Sequence, residues 1–307
     1  MKHRKFSFAS RLLSPKSLLK DIGGAILALA ALLPISGCAS LSGPAMPLTR
    51  FDVIATRAAW QPQVVETGRF DLRAFSPSPV HAASPGEPLT IYIEGDGNAY
   101  IGRRLVSADP TPINPGVLQM ALADPGPAAY LARPCQFIAA QRSHCGPTDW
   151  TRGRYSQEII DGMDRAVSIL ARQAEAERVI LVGYSGGGTV AMLLAARRRD
   201  VAGVVTIAAN LDLADWIARN RLSPMPESLD AAGSAAAVTG IPQVHFVGGR
   251  DKIVQSEVIQ SFLKRIPSAP HAKLITMPGY DHVCCWARDW PALRRRAALA
   301  GISAWEP

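Results

Sequence analysis

Apolar and polar positions follow two distinct periods along this chain. Short unbroken apolar runs recur between residues 89 and 277, which is typical of strands buried on both faces of a sheet. Longer segments between them repeat apolar residues every three or four positions, which indicates helices with one buried face. The predicted buried strands are Leu89–Ile93, Ala128–Ala132, Val179–Gly183, Val201–Ala208, Gln243–Val247 and Lys273–Met277. The predicted helices are Ser156–Gln173, Thr189–Ala196, Val254–Ile266 and Trp286–Leu299.

Two earlier segments, Phe51–Ala55 and Gly68–Phe75, alternate apolar and polar residues and predict half-exposed strands. Strands and helices that alternate along a chain form a mostly parallel sheet with helices on both faces. Residues 51–307 are numerous enough for one such α/β domain with a substantial core.

Gly183-Tyr184-Ser185-Gly186-Gly187 lies between a predicted strand and a predicted helix, an order typical of a nucleophile elbow. In such a turn the serine adopts a strained backbone conformation, and the glycines two positions away keep strand and helix from colliding. A G-x-S-x-G motif would occur by chance in about one chain in ten of this length. The predicted strand before it and the predicted helix after it are therefore the stronger evidence for an elbow. A phosphate-binding loop is a poorer account because no Lys follows the glycines.

Polar residues directly after predicted strands are the candidate functional residues, because parallel sheets bind ligands at the carboxyl ends of their strands. They are Glu94, Asp96, Ser185, Asn210, Asp212, Asp251 and His282. His245 lies inside a predicted strand instead, so we expect it to be packed rather than reactive.

The chain resembles the α/β-hydrolase superfamily over residues 51–307. The resemblance rests on Gly183–Gly187, on the strand-Gly-x-x-Asp-x-x-Val pattern of Val247–Val254, and on Gly279–His282. It implies the α/β-hydrolase fold, a mostly parallel central sheet with helices on both faces and a short cap insertion at Met225–Ala237. It also implies that Ser185 is the nucleophile, Asp251 the acid and His282 the base, with no cofactor and no metal.

Two other acids could orient His282. Asp281 is adjacent to it, but consecutive side chains in an extended loop tend to point apart. Asp212 follows the strand after the nucleophile strand, although a helix N-cap role explains it equally well. Asp251 is preferred because an apolar strand and two glycines precede it, which directs its carboxylate over the sheet edge toward the elbow.

The oxyanion hole is assigned to two backbone N–H groups. Gly186 is placed to donate as the first residue after the serine. The second donor is assigned to Asp96, with Gly97 as the alternative, because this superfamily supplies it from the loop after strand Leu89–Ile93. Many hydrolases have His-Gly in that loop, whereas this chain has Glu94-Gly95-Asp96-Gly97. The acidic side chains could instead cap a turn or repel anionic substrates.

The chain is also similar to a set of exported bacterial hydrolases in which several segments recur. They are Glu94–Gly97, Asp109–Pro112, Ala132–Gln136 and Arg154–Ser156. This similarity implies no particular substrate.

The amino terminus has the pattern of an export signal. Residues 1–20 carry six basic residues and no acid, and residues 22–35 are apolar or small, a run too short for a comfortable membrane span. The run ends in Ile35-Ser36-Gly37-Cys38, which resembles the lipobox of bacterial lipoproteins. The resemblance implies a signal peptide at 1–37 and a lipidated Cys38 with its tether at 38–50. An uncleaved anchor helix or a simple secretory signal is the alternative.

Ala39 resembles the residue that sends lipoproteins to the outer membrane, where the domain would face the periplasm. The formal net charge of the whole chain is +8, but residues 1–37 hold six Lys or Arg and one acid, so about +3 remains after their removal. This small excess gives little reason to propose a nucleic-acid partner.

Four cysteines remain if Cys38 is lipidated, and export would place them in an oxidising compartment. Cys135 and Cys145 bracket a short loop, so we predict a disulfide between them. Two buried thiols are the alternative. Cys284 and Cys285 are adjacent, so a bridge between them would be strained, and a cross-pairing with the first two is the other arrangement.

These features favour a serine hydrolase that cleaves an ester, thioester or amide through an acyl-enzyme intermediate and is tethered to the bacterial envelope by a lipid. Its partners would be a small-molecule acyl substrate and, through the anchor, the membrane. Esterase or lipase-like activity is the commonest outcome of such a site, and the sequence does not separate it from peptidase activity. The alternative is a non-catalytic envelope lipoprotein that uses the fold for binding, although such a protein needs no complete Ser-Asp-His set.

Overall fold

Eight strands form one sheet in the computed structural model of the chain, which describes residues 49–78, 82–102, 105–138, 144–267 and 270–305. The strands of this sheet are β1 (Trp60–Glu66), β2 (Asp71–Pro77), β3 (Leu89–Ile93), β6 (Ala128–Leu131), β7 (Val179–Tyr184), β8 (Val201–Ile207), β9 (Gln243–Gly248) and β10 (Ala272–Met277). Two further strands, β4 (Tyr100–Ile101) and β5 (Leu105–Val106), form a separate antiparallel ribbon.

Helices connect most of these strands. They are α1 (Arg50–Arg57), α2 (Gly116–Leu122), α3 (Pro147–Trp150), α4 (Gln157–Gln173), α5 (Gly186–Ala195), α6 (Leu213–Asn220), α7 (Ser256–Leu263) and α8 (Trp286–Leu299). Two 3₁₀ helices cover Ala231–Val238 and Ser303–Trp305. Within these described residues, no helix combines the length and the apolar character that crossing a membrane requires.

The spatial order of the sheet is β1-β2-β6-β3-β7-β8-β9-β10. The strand β2 pairs antiparallel with both of its neighbours, and the run from β6 to β10 is parallel throughout. The carboxyl ends of β3, β7 and β9 therefore meet at one edge of the sheet. This arrangement confirms the predicted α/β-hydrolase fold.

The central strand β7 shows why the parallel strands read as unbroken apolar runs. Successive side chains of a strand point to opposite faces, so Val179 and Leu181 join the core under α4, α5 and α7. Ile180 and Val182 join the core on the other face, under α1, α2 and α8. Both faces of the sheet are covered, so every position along the strand is apolar.

The predicted strand at Phe51–Ala55 is wrong, because these residues lie in α1. Thr49 and Asp52 form a capping box, in which the Asp52 N–H donates to Oγ1 of Thr49 at 3.2 Å and the Thr49 N–H donates to Asp52 at 2.6 Å. The cap satisfies donors that a short helix otherwise leaves free, and it outweighs the two-residue alternation of the segment. The strand β1, which the sequence analysis missed, follows at the sheet edge and carries Pro62.

The other predicted strands and helices agree with the structure to within a few residues. The segment predicted as a cap consists of a loop and the 3₁₀ helix Ala231–Val238, which packs against α5. Its residues Ala231, Ala232 and Ala235 are buried in the core, so most of this insertion is support for α5. The predicted signal peptide, Cys38 and most of the tether lie outside the described residues.

Candidate active site

Ser185 lies between β7 and α5 in a backbone conformation that side chains rarely adopt, with φ of 50° and ψ of −124°. Its own N–H donates to the Ile207 carbonyl of the neighbouring strand at 2.8 Å, which ties the turn to the sheet. A Cβ atom at Gly187 would overlap the carbonyl oxygens of Ile93 and Glu94, and one at Gly183 would overlap the Gly187 carbonyl. Only glycine therefore fits on either side of this serine.

The side chains of Ser185, His282 and Asp251 form one hydrogen-bonded chain. His282 Nε2 lies 3.1 Å from Ser185 Oγ, and His282 Nδ1 lies 2.8 Å from Asp251 Oδ2. The Asp251 side chain is fully buried, whereas that of His282 is 13% exposed at the pocket. The three residues that the sequence singled out are thus brought together from three separate loops.

Asp251 is held by the backbone of its own loop. Its Oδ1 accepts hydrogen bonds from the Ile253 and Val254 N–H groups, at 2.8 and 2.9 Å, which leaves Oδ2 for the histidine. Gly248 lets this loop pack directly on the histidine loop, because a Cβ there would lie 2.6 Å from the Tyr280 carbonyl oxygen. The carboxylate is therefore directed at the imidazole by groups close to it in sequence.

Two side chains hold the histidine loop through hydrogen bonds to its backbone. The Tyr184 hydroxyl donates to the His282 carbonyl at 2.8 Å, and the Trp286 indole N–H lies 3.1 Å from the same oxygen. Asp281 points away from the imidazole, because its Oδ1 accepts from the Val283 and Cys284 N–H groups. These two backbone hydrogen bonds lower the pKa of Asp281, so it stays ionised as a turn cap.

Asp212 does not reach the histidine. It caps α6 by accepting from the Asp215 N–H at 3.0 Å, and its other oxygen accepts from Ser261 and Arg265, at 2.6 and 3.1 Å. Asn210 is buried behind the elbow, where its side-chain oxygen accepts from the Thr189 hydroxyl at 2.8 Å. Both residues therefore support the frame of the site.

His245 is buried within β9, as expected. Its Nδ1 lies 2.8 Å from the Thr206 hydroxyl and its Nε2 lies 3.3 Å from Gln243 Oε1. Burial lowers the pKa of His245 to about 3, so the ring is neutral near pH 7.

The acidic loop at residues 94–97 lies directly beside the elbow and is held by side chains from distant parts of the chain. Asp96 accepts a hydrogen bond from Arg154 at 2.6 Å, from Arg133 at 3.3 Å and from the Tyr155 hydroxyl at 3.2 Å. Gln136 donates to the Gly95 carbonyl at 2.9 Å. None of these four partners was predicted from the sequence to have a role. They lie in two of the recurring segments, and the loop that they hold is a third.

The fourth recurring segment, Asp109–Pro112, meets the same loop. The Pro110 carbonyl accepts from the Asn98 N–H at 2.9 Å, and a Cβ at Gly97 would overlap that carbonyl. Gly97 also has φ of 62°, which favours glycine. The recurring segments therefore assemble around one loop, which explains why they occur together.

The pKa values of the two acidic residues in this loop are shifted in opposite directions. Burial acts to raise the pKa of Asp96, but the attraction of Arg154 and Arg133 outweighs it, so the pKa lies below its ordinary value. Glu94 is enclosed between the Gly95 N–H and the Tyr130 hydroxyl, at 2.9 Å each, and burial raises its pKa to about 7. Asp96 is thus an ion-paired anchor, and Glu94 is close to half-protonated near neutral pH.

The predicted oxyanion donors lie on the two loops that meet here. Among the described residues, neither the Gly186 nor the Asp96 N–H donates to another protein atom. The carboxylate of Asp96 packs against the Cα atom of Gly186, because a Cβ there would overlap Oδ1. The same carboxylate forms ion pairs with Arg133 and Arg154, while 19% of the Asp96 side chain remains exposed at the pocket.

A pocket of about 650 Å³ opens above Ser185 and His282. Its polar and charged lining comes from Ser185, His282, Glu94, Asp96, Asn98, Asn114, Gln119, Arg154, Tyr184 and Arg288. The apolar part of its lining is provided by Tyr100, Ile113, Val117, Met120, Trp216, Ile253, Val283 and Trp286. The helix α2, which the sequence analysis did not predict, supplies one wall.

The structure pairs Cys135 with Cys145, whose Cα atoms are 5.7 Å apart, and pairs Cys284 with Cys285. The first pair closes a loop that contains Gln136 and begins two residues after Arg133. In the described residues, Cys135 and Cys145 also form a potential metal-ligand group with Asp149, but sulfur atoms bonded to each other offer no thiolate ligands.

Comparison with known proteins supports assignment of the chain to the hydrolases. The model of the dienelactone hydrolase family matches residues 139–291, a range that includes Ser185, Asp251 and His282. No curated protein sequence matched the chain.

Solved structures of esterases and a phospholipase share the fold at low identity. The esterase Pf2001 of Pyrococcus furiosus is 13% identical, with a TM-score of 0.56 over 80% of this chain and 95% of that one. Est1E from Butyrivibrio proteoclasticus is 16% identical, with a TM-score of 0.53 over 78% and 98%. A bacterial membrane phospholipase A is 15% identical, with a TM-score of 0.51 over 82% and 89%.

Proposed function

Because this chain belongs to the α/β-hydrolase superfamily and is a hydrolase of the serine-esterase kind, we propose that it cleaves acyl esters through a Ser185–His282–Asp251 triad. The observation that carries the proposal is the continuous chain of hydrogen bonds from Asp251 through His282 to a strained serine. Strain at an elbow costs stability and is retained where it exposes a nucleophile.

The proposed reaction begins when Ser185 Oγ attacks the substrate carbonyl. His282 Nε2 accepts the hydroxyl proton and then donates it to the leaving group, which produces the acyl-enzyme. Asp251 keeps the proton on Nδ1 and stabilises the imidazolium that forms. A water molecule, deprotonated by the same histidine, then hydrolyses the acyl-enzyme and restores the serine.

The negative charge that develops on the carbonyl oxygen would be stabilised by the N–H groups of Gly186 and Asp96. Gly186 starts α5, so the positive end of the helix dipole also faces this charge. The ion pairs of Asp96 with Arg133 and Arg154 would position the second donor and offset the negative charge of the carboxylate beside it.

Labelling with a fluorophosphonate probe tests the assignment of the nucleophile. The purified chain should react once, and Ser185→Ala should abolish labelling while circular dichroism and the thermal midpoint remain those of a folded protein. A folded Ser185→Ala variant that labels as strongly as the original chain would refute the assignment. A folded original chain that neither labels nor hydrolyses any ester would favour the non-catalytic binding protein.

A panel of chromogenic esters, thioesters and anilides tests the choice among acyl substrates. We propose esters as the preferred class, because the structural neighbours named esterases share this fold and the pocket is open to solvent on one side. Faster turnover of the anilide than of the matched ester would assign the site to amide hydrolysis.

We also propose that the protein is a lipoprotein of the bacterial envelope, anchored through Cys38 in the outer membrane with the domain in the periplasm. The support is the basic region, the apolar run and the Ile35–Cys38 sequence. Mass spectrometry of the membrane fraction should find diacylglycerol on an amino-terminal Cys38. A soluble product cleaved elsewhere would contradict the anchor.

A further inference from the structure

Exposed large apolar side chains are concentrated around the mouth of the active-site pocket. Nine such side chains are exposed among the described residues; three of them line this pocket, and three more lie on the ribbon of β4 and β5, whose residue Tyr100 also lines it. We call these six the apolar rim: Ile101, Leu105, Val106, Ile113, Ile253 and Val283. Single exposed apolar residues are ordinary on soluble proteins, but a contiguous group of them marks a surface that is covered in use.

Three members of the apolar rim belong to the pocket wall itself. Ile113, Ile253 and Val283 all line the pocket, yet 74%, 48% and 59% of their surfaces remain exposed. They come from three different loops, those before α2, after Asp251 and after His282. Each side chain therefore reaches from the interior of the pocket to its outer edge.

The ribbon of β4 and β5 extends the same surface outward. Tyr100 lines the pocket and is paired with Val106, so Val106 lies on the pocket side of the ribbon. Ile101 is paired with Leu105, and both point to the opposite, outer side, where they are 57% and 63% exposed. Both faces of the ribbon beside the pocket therefore carry exposed apolar side chains.

The length of chain before the described domain indicates what covers this surface. The domain begins at Thr49, and Cys38 precedes it by eleven residues. A fully extended segment of that length spans at most about 40 Å. A lipid on Cys38 would therefore keep the domain within about one domain diameter of a bilayer, and a bilayer is an apolar partner that is always within reach.

We propose that the apolar rim rests on a lipid bilayer and that the substrates are acyl esters of membrane lipids, which enter the pocket from that bilayer. This inference rests on the ester hydrolysis and the lipid anchor proposed above. The anchor keeps the domain at the membrane, and the rim orients the pocket toward it, because a second apolar contact makes membrane attachment specific. An acyl chain then passes from the bilayer along apolar side chains to Ser185 without crossing water.

Depth-dependent quenching tests the docking without any catalysis. The full chain with Ser185→Ala is purified from membranes and placed in vesicles of phosphatidylethanolamine and phosphatidylglycerol that carry nitroxide-labelled acyl chains. An environment-sensitive fluorescent amino acid replaces Leu105 in one sample and Leu299 in the other. Leu299 is the matched control, because it is 84% exposed but lies thirteen residues along α8 from the pocket residue Trp286, about 20 Å away.

Strong quenching at position 105 and little at position 299 is the expected result. Quenching that is weak or equal at the two positions would overturn the proposal. Shielding of position 105 from water without quenching, together with dimers in sedimentation equilibrium, would also overturn it and would identify a second copy of the chain as the occupant.

Rates of hydrolysis of a membrane-embedded ester and of a soluble ester distinguish a defect in membrane docking from a defect in catalysis. The double variant Ile101→Glu and Leu105→Glu changes two residues that do not line the pocket, and Leu299→Glu is its control. The double variant should hydrolyse a vesicle-embedded phospholipid ester at least tenfold more slowly, while hydrolysing a short soluble ester at the original rate. Equal rates on the vesicle substrate would contradict the proposal. If the unaltered chain hydrolyses neither ester, the proposed hydrolase function fails, and the quenching result still decides the docking.

Discussion

Two loops meet at the same edge of the sheet and are built in opposite ways. The elbow after β7 is shaped by backbone packing. A Cβ at Gly183 would overlap the Gly187 carbonyl of the same turn, and a Cβ at Gly187 would overlap the carbonyl oxygens of Ile93 and Glu94 at the end of β3. The acidic loop after β3 is shaped by residues far along the chain, because Arg133, Arg154 and their neighbours hold Asp96. One loop is built from backbone geometry, and the other is built from buried charge.

The elbow and the acidic loop therefore respond differently to amino-acid substitution. Backbone crowding at the elbow, within the turn and against the end of β3, is a constraint that no side-chain partner can relieve, so a substitution there acts directly on the fold. Buried ion pairs depend on all their members, so removing one cation leaves an uncompensated carboxylate. Residues distant in sequence from the elbow, such as Arg154, therefore influence the position of the proposed oxyanion donor.

The first prediction has the largest expected effect and tests whether Asp251 is the acid that orients His282. In contrast to the acidic loop, the loop after β9 holds this residue with groups close to it in sequence. Asp251→Asn keeps the shape of the side chain but favours the wrong tautomer of the ring, so kcat should fall by about 10⁴-fold. Asp212→Asn is the matched control and should cost far less activity, since Asp212 contacts Ser261 and Arg265 instead of His282. Steady-state kinetics on a soluble ester measures both. If Asp251→Asn keeps its activity and Asp212→Asn loses it, the acid that orients His282 is Asp212, which follows β8.

The second prediction tests the dependence of the acidic loop on remote charge. Arg154→Met removes the closer cation from Asp96, whose side chain is 19% exposed and keeps its contact with Arg133, and should lower the free energy of unfolding by about 3 kcal/mol, the lower end of the cost of breaking a buried pair. Arg152→Met is the control, because Arg152 forms an exposed pair with Glu227, a kind of contact that contributes only about 0–1 kcal/mol. Urea denaturation measures the two. Equal stability of the two variants would show that the loop does not need the buried pair.

The third prediction tests the backbone crowding between the elbow and the end of β3. Gly187→Ala places a methyl group against the carbonyl oxygens of Ile93 and Glu94, which are backbone atoms that cannot rotate away. The free energy of unfolding should fall by about 3 kcal/mol, the upper part of the usual range for overpacking. Gly233→Ala is the control, since a Cβ at that position would meet no atom of the described residues within 4 Å. Thermal denaturation of the two variants gives the comparison, and an unchanged midpoint for the first would contradict the crowding.

The smallest effect is a pH dependence that arises from Glu94. Burial raises its pKa from 4.5 to about 7 in the folded chain, so its stabilising contribution is complete below pH 4.5 and is lost as the pH rises through 7. Glu94→Gln does not titrate. The stability of this variant relative to the original chain should therefore increase by about 2–3 kcal/mol between pH 4.5 and 7.5. Denaturation curves across that range measure the difference, and a constant difference would mean that Glu94 is ionised throughout.

The fold was largely predictable because its main elements satisfy local rules. Strands covered on both faces are apolar at every position, as in Val179–Val182, and α8 was predicted with its observed ends. The error at Phe51–Ala55 arose because a two-residue alternation and a short capped helix can share the same apolar positions. The capping box of Thr49 and Asp52 was visible in the sequence and would have indicated the helix.

The sequence by itself determined the elements whose cause lies within a few residues: the parallel strands, the elbow around Ser185, and the turns that carry Asp251 and His282. The glycines that the elbow requires stand within the motif itself, so a short stretch of sequence reveals them. Only the tertiary structure decided which side chains hold the acidic loop and which apolar residues gather at the mouth of the pocket. Those contacts join residues up to 59 positions apart around Asp96, and burial and charge compensation depend on what the folded chain brings together in space.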